Sequence, residues 1–313
     1  MQEKLPKTLY WKYYRMRSLW PVWYYALNRI SRRRWRDYKE SVRLTPVQAR
    51  VLNDLKQDGI AITHIDELFA RSGVGHEAIA ASARIAQDPE SEKKILAHER
   101  ETHAAKSDII VHLLGGYGDT KPSLKLTDPF LRFTLSSEIL DVVSSYMDMF
   151  TFFKMCSLHS TVILPSGSRA TFSQRWHRDP DDKKLVKVFL YASDVEDEGA
   201  GPFTYVKGSQ LGGRWRDIYP QIPPVGSYPP EGGVERMIPS DDRMQAFGKT
   251  GTLIFCDTSG LHKGGFSTTK RRLMYAATFT SGASALAANY VLTDPQEMAK
   301  LPAIAQYAVS QQI

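Results

Sequence analysis

Two cysteines, Cys156 and Cys256, are all that the 313 residues contain. A disulfide framework is therefore not expected, and metal centres built on thiolate clusters are excluded. Cys256 lies in an apolar run and reads as a small core residue. Long hydrophobic runs are missing as well. No stretch approaches the roughly 20 apolar residues that cross a bilayer, and the basic N-terminus lacks the apolar segment and small-residue cleavage site of a secretory signal. These absences point to a reducing, cytoplasmic setting. At 42% hydrophobic residues the chain can bury a sizeable core, and neither a second independent fold nor an internal repeat is visible.

Charge is unevenly spread. Residues 1–45 hold twelve Lys/Arg against Glu3, Asp37 and Glu40, a net +9, so the total of +7 leaves residues 46–313 at −2. Four of the six tryptophans (Trp11, Trp20, Trp23, Trp35) share that head with Tyr10, Tyr13, Tyr14, Tyr24, Tyr25 and Tyr38. Helices are expected over 7–20 and 22–40, broken at Pro21. The division is thus a basic, aromatic helical extension, 1–45, and a catalytic domain, 46–313. Three readings compete for the extension. It docks on an anionic membrane face, placing the protein peripherally on the cytoplasmic side; its aromatics pack on the body or on a second subunit; or, least favoured, it binds nucleic acid.

From residue 46 helices come first and strands after, with helices expected at 46–57, 75–86, 90–113 and 130–148. Strands are expected at 59–63, 151–164, 170–177, 185–193, 202–206, 251–256 and 271–280. That order suits an α+β fold: a double-stranded β-helix, or jelly roll, backed by helices.

The chemistry concentrates in His177-Arg-Asp179 and, far downstream, His262. Two imidazoles and a carboxylate can hold three facial positions of an octahedral Fe(II) and leave three open. On a strand, the i, i+2 spacing turns His177 and Asp179 to one face and Arg178 to the other. His262 follows the apolar run 251–257 and falls at a strand end. Arg272, at the head of another strand-like run, could grip the far carboxylate of a 2-oxo acid through a bidentate pair, with Arg271 competing for the role. The Pro- and Gly-rich stretch 211–250 reads as a lid beside the substrate mouth, and Asp181–Lys184 as lining the same opening.

The segments Gln174–Asp179, Leu185–Val195, Gly199–Gln210 and Gly251–Phe279 resemble the phytanoyl-CoA dioxygenase family of Fe(II)/2-oxoglutarate oxygenases. The segment Leu44–Thr63 is similar to that family's opening helix and first strand. The resemblance implies His177, Asp179 and His262 as metal ligands and Arg272 as the 2-oxoglutarate anchor. Fe(II), 2-oxoglutarate and O2 are the implied cofactors, with ascorbate as an accessory reductant. Where the family usually has Pro-Gly-Ser-His, this chain has Lys207-Gly-Ser-Gln210, and its arginine lies one residue nearer the second histidine, which keeps Arg271 in contention. The implied reaction is hydroxylation of a C–H bond as 2-oxoglutarate becomes succinate. The charge partition then favours a membrane-associated lipid, acyl or surface-glycan precursor as substrate; the alternative is a soluble metabolite of a natural-product pathway. A non-enzymatic jelly-roll binding protein would not need the triad and the arginine together, and a zinc hydrolase has no use for the arginine.

Overall fold

Along Leu273–Thr280 the odd residues Tyr275, Ala277 and Phe279 enter one hydrophobic core while Met274 belongs to another. That alternation defines the architecture, because a strand buried on both faces must have helices on one side and a second sheet or cavity on the other. The computed structural model describes residues 7–103, 109–116, 121–165, 167–221 and 226–310.

The N-terminal head comprises α1 (Lys7–Arg17), a π-helical turn (Val22–Leu27) and α2 (Arg29–Tyr38). Then come α3 (Pro46–Asp58), β1 (Ile60–His64), α4 (Ile65–Leu68), α5 (Val74–Ala86), α6 (Pro89–His103), β2 (Ile110–Gly115) and β3 (Ser123–Leu124). The rest is α7 (Pro129–Thr134), α8 (Ser137–Met147), β4 (Phe152–Thr161), β5 (Leu185–Tyr191), β6 (Phe203–Val206), α9 (Gly233–Met237), β7 (Arg243–Ala246), β8 (Thr252–Cys256), β9 (His262–Lys263), β10 (Leu273–Thr280), β11 (Val291–Leu292) and α10 (Ala303–Val309).

Six antiparallel strands form the major sheet in the order β1-β8-β5-β10-β4-β2, and β7-β6-β9 form a minor one. The helix-facing core joins Val51, Leu55, Phe130, Phe133, Ile139 and Val142 to the outward residues of β4, β5, β8 and β10. A smaller core, with Phe189, Tyr191, Phe203, Tyr205 and Ile254, lies on the other face. This is the expected α+β jelly roll backed by helices. Local chemistry sets its first turn. Thr45 and Gln48 cap α3 reciprocally (Gln48 N to Thr45 Oγ1, 3.2 Å; Thr45 N to Gln48 Oε1, 2.9 Å). Gly59, at φ 78°, ends the helix where a Cβ would meet the Tyr205 hydroxyl at 2.4 Å.

Several expected elements differ. The helix expected over 90–113 stops at His103, and Ile110–Gly115 instead pairs with β4 as an edge strand. The helix expected over 130–148 breaks into α7 and α8, where Ser136 starts the second helix. The strand expected at 170–177 is a 3₁₀ turn, Phe172–Gln174, followed by an isolated bridge at His177.

The head lies on the body. Trp23 and Trp35 are buried in the main core, and Ser31 bonds Tyr307 at 2.6 Å. Trp23 Nε1 donates to Asp182 Oδ1 at 2.5 Å, while Asp182 Oδ2 accepts from Ser281 N at 2.7 Å.

Candidate metal centre

The two histidines face each other across a backbone pair. His177 N donates to His262 O at 2.9 Å and His262 N returns the bond at 3.0 Å; Asp179 N donates to Thr258 O at 2.9 Å. This short ladder, rather than a full strand, turns His177 and Asp179 the same way and sets His262 opposite. Each imidazole then bonds a carbonyl two residues earlier: His177 Nδ1 to Arg175 O at 2.8 Å, His262 Nδ1 to Gly260 O at 3.0 Å. With Nδ1–H as donor, both Nε2 lone pairs point to the carboxylate, at 3.8 Å from Asp179 Oδ1 and 3.7 Å from Oδ2. Those gaps are too long for hydrogen bonds. One donor atom from each of the three residues lies within 4.8 Å of the others, and all three residues are buried. A cation between them would meet two imidazoles oriented by second partners, the arrangement metal-binding histidines usually have.

Electrostatics favours the same state. Burial alone would raise the Asp179 carboxyl, but Lys187, His262 and His177 outweigh it and hold it below the ordinary carboxylate range. Burial and the adjoining His177 push His262 down to about 3, with Asp179 opposing. The carboxylate is ionised and the His262 imidazole neutral, as metal ligation requires.

Lys187, on β5, reaches Asp179 Oδ2 at 2.7 Å. Sequence reasoning missed it, although a lone lysine in the apolar run Leu185–Tyr191 was the available signal. Arg178 was expected to point outward. It does turn from the His177 and Asp179 side chains, but it is buried, donating to the carbonyls of Tyr219 (2.8 Å), Ser209 (2.5 Å), Ser259 (2.8 Å) and Ile218 (2.9 Å). It thereby ties the metal motif to the 209–219 loop and to the turn that delivers His262.

The triad lines a cavity of about 450 Å³. Arg272 lines it too, only 1% exposed, with its backbone N on Thr161 Oγ1 at 2.8 Å and Nη1 donating to Gly201 O. Its Nε has no hydrogen-bond partner among the described residues. Arg271 instead points away, paired with Glu92 at 2.8 Å and Glu99 at 2.9 Å. His159, held neutral by burial and by nearby His112 and Arg272, also lines the cavity. Of the stretch expected to be a lid, Gly226 and Tyr228 border the cavity, and the Tyr228 ring lies parallel to His177 at 5.6 Å; residues 222–225 fall outside the described residues. Of Asp181–Lys184, only Asp181 lines the metal cavity. Asp182 is buried under Trp23, and Lys184 donates to Tyr146 O at 2.7 Å.

No protein-family model matches the chain, and no curated protein matches it. Among solved structures it is similar to the epimerase SnoN in complex with Fe3+, α-ketoglutarate and nogalamycin RO, at 16% identity over 75% of this chain and 84% of that one, TM-score 0.50. The fold is shared with a 2-oxoglutarate-dependent enzyme. HygX from Streptomyces hygroscopicus with nickel and 2-oxoglutarate bound matches at 17% identity over 81% and 92% of the two chains, TM-score 0.45. AviO1 from Streptomyces viridochromogenes Tue57 matches at 15% over 78% and 100%, TM-score 0.43.

Proposed function

We propose that this chain is an Fe(II)/2-oxoglutarate-dependent hydroxylase of the phytanoyl-CoA dioxygenase type, with His177, Asp179 and His262 holding the metal and Arg272 the distal carboxylate of 2-oxoglutarate. One observation carries the reading: two backbone-braced imidazoles and an ionised carboxylate converge in the cavity that also receives a buried arginine. Bound Fe(II), with 2-oxoglutarate and O2, would supply the oxidising power. The chain's own work is to present two Nε2 lone pairs and a carboxylate, to fix the co-substrate through a guanidinium fork, and to enclose the reacting C–H bond. An aspartate in the third ligand position leaves no vacancy for a halide, which favours hydroxylation over halogenation.

For the substrate we favour a soluble small molecule of a natural-product pathway. The head is built into the body through Trp23 and Trp35, so it need not serve as a detached membrane arm, and the similar SnoN structure holds a natural product. A specific observation keeps membrane docking as a second reading. Leu9, Met16, Leu19, Trp20, Tyr25 and Ile30 remain exposed on the head, beside its arginines. No described helix is long and apolar enough to cross a membrane. The function is tested by following succinate formation from 2-oxoglutarate with Fe(II), and by profiling metabolites and lipids for a species that gains one oxygen. Flotation with anionic vesicles decides the second reading; a protein that stays behind at low salt has no membrane face.

A further inference from the structure

A second pocket, of about 200 Å³, adjoins the metal cavity, and Pro180 and Asp181 line both. Its other wall is the N-terminal head: Tyr10, Tyr14, Arg17 and Trp23. At that size it is smaller than the roughly 300–1,000 Å³ of a whole ligand site, so it suits part of a molecule whose remainder reaches the metal. The metal cavity must also admit the co-substrate, which leaves a larger substrate reason to extend here.

The lining is chemically matched to one kind of group. Asp181 and Arg17 both line the pocket. The first can only accept when ionised and the second can only donate. Arg17 is held in place by Nη2 on Ala283 O at 2.7 Å and by its bond to the Tyr13 hydroxyl, and Asp181 by the Ser284 hydroxyl on its carbonyl at 2.6 Å. Beside them Tyr10 and Tyr14 stand with ring centroids 4.6 Å apart. An acceptor, a donor and an aromatic wall together recognise a saturated ring that carries hydroxyls: its C–H face lies on the tyrosines while one hydroxyl donates to Asp181 and another accepts from Arg17. We infer that this pocket is a substrate subsite for a polyhydroxylated ring, and that the head forms its outer wall. The inference rests on the proposed function, since it gives that reaction a substrate class.

Methyl β-D-glucopyranoside is the probe, with cyclohexylmethanol as a ring of similar size without the hydroxyls. Saturation-transfer NMR on the full chain, with and without Zn(II) and 2-oxoglutarate, should show transfer to the glucoside ring protons and much less to the control. Tyr14→Ala and Arg17→Met should each weaken the glucoside signal by about fivefold or more, the scale of one lost contact. Tyr14→Phe keeps the ring wall and should retain the signal, which separates a lost subsite from a misfolded head. No transfer to the glucoside, equal transfer to the control, or signals unchanged in Tyr14→Ala and Arg17→Met would overturn the inference. Glucoside binding that persists while Zn(II) and 2-oxoglutarate fail to bind would instead leave the subsite standing and count against the proposed function.

Discussion

Arg271 and Arg272 are adjacent in sequence and opposite in fate. Both sit just ahead of β10, where Thr161 N donates to Arg272 O at 3.0 Å and prolongs the pairing with β4, so that one residue turns to the acidic side of α6 and the next into the cavity. Sequence alone left the pair open because a one-residue shift of register exchanges the two faces of a strand. Arg272→Lys should raise the 2-oxoglutarate concentration for half-maximal succinate formation by about tenfold or more, since a lysine cannot form the planar fork, while Arg271→Lys stays within about twofold. The opposite ranking would move the anchor to Arg271. Arg178 was legible as the residue between His177 and Asp179 but not as a buried clamp, because its carbonyl partners lie 31 to 81 positions away, a distance that local pattern does not encode. Arg178→Met should strand several buried carbonyls and cost about 3 kcal/mol or more, seen as a lower midpoint in urea unfolding. A variant as stable as the parent would reduce the clamp to a solvated contact.

The N-terminal helices were readable as basic, aromatic and broken at Pro21; the surface they cover was not. The reason is that Trp23 and Trp35 bury against residues far along the chain, among them Phe150, at 6.1 Å from Trp35. Composition alone favoured the membrane, whereas packing uses two of the tryptophans inside. Trp35→Ala should therefore cost about 3–5 kcal/mol, and deletion of residues 1–40 should yield aggregated or unfolded protein rather than an active soluble core. A truncated chain that folds and forms succinate at the full rate would make the head an independent appendage. The β2 edge strand was missed for a related reason. Its residues continue a helix-like polar and apolar pattern from α6, and only pairing with β4 selects the extended form.

For the whole molecule, the helical backing and the jelly-roll strands followed from the order of elements, and the triad followed from residue types and spacing; the cavity's buried charges did not. They give the protein a pH signature. His262 is pushed down to about 3 and His159 well below its ordinary value, both by burial first. In each case the unfolded chain binds more protons than the folded one below about pH 6.5, so their contribution is complete above that pH and is lost as the pH falls toward the folded value. Asp141, Asp181 and Asp182, each raised to about 6 chiefly by burial, work the other way: their contribution is present at low pH and lost as the pH rises through 6. Between pH 5 and 7 these carboxyls and the histidines oppose one another, so the histidine contribution is read from a variant: in the metal-free protein His159→Asn should raise the melting temperature at pH 5 relative to that at pH 7, compared with the parent. An unchanged difference between the two pH values would mean that His159 is not held neutral.

We place one Fe(II) at His177, Asp179 and His262, where it would drive 2-oxoglutarate turnover. This placement is tested most directly by measuring Fe(II) stoichiometry and succinate formation together in the parent, His177→Ala, Asp179→Ala and His262→Ala. One tightly held Fe(II) and sustained succinate formation are expected in the parent, with turnover lowered by about 100-fold or more in each variant whose fold is intact. A parent that binds no iron, or folded variants that turn over 2-oxoglutarate at the parent's rate, would contradict the placement.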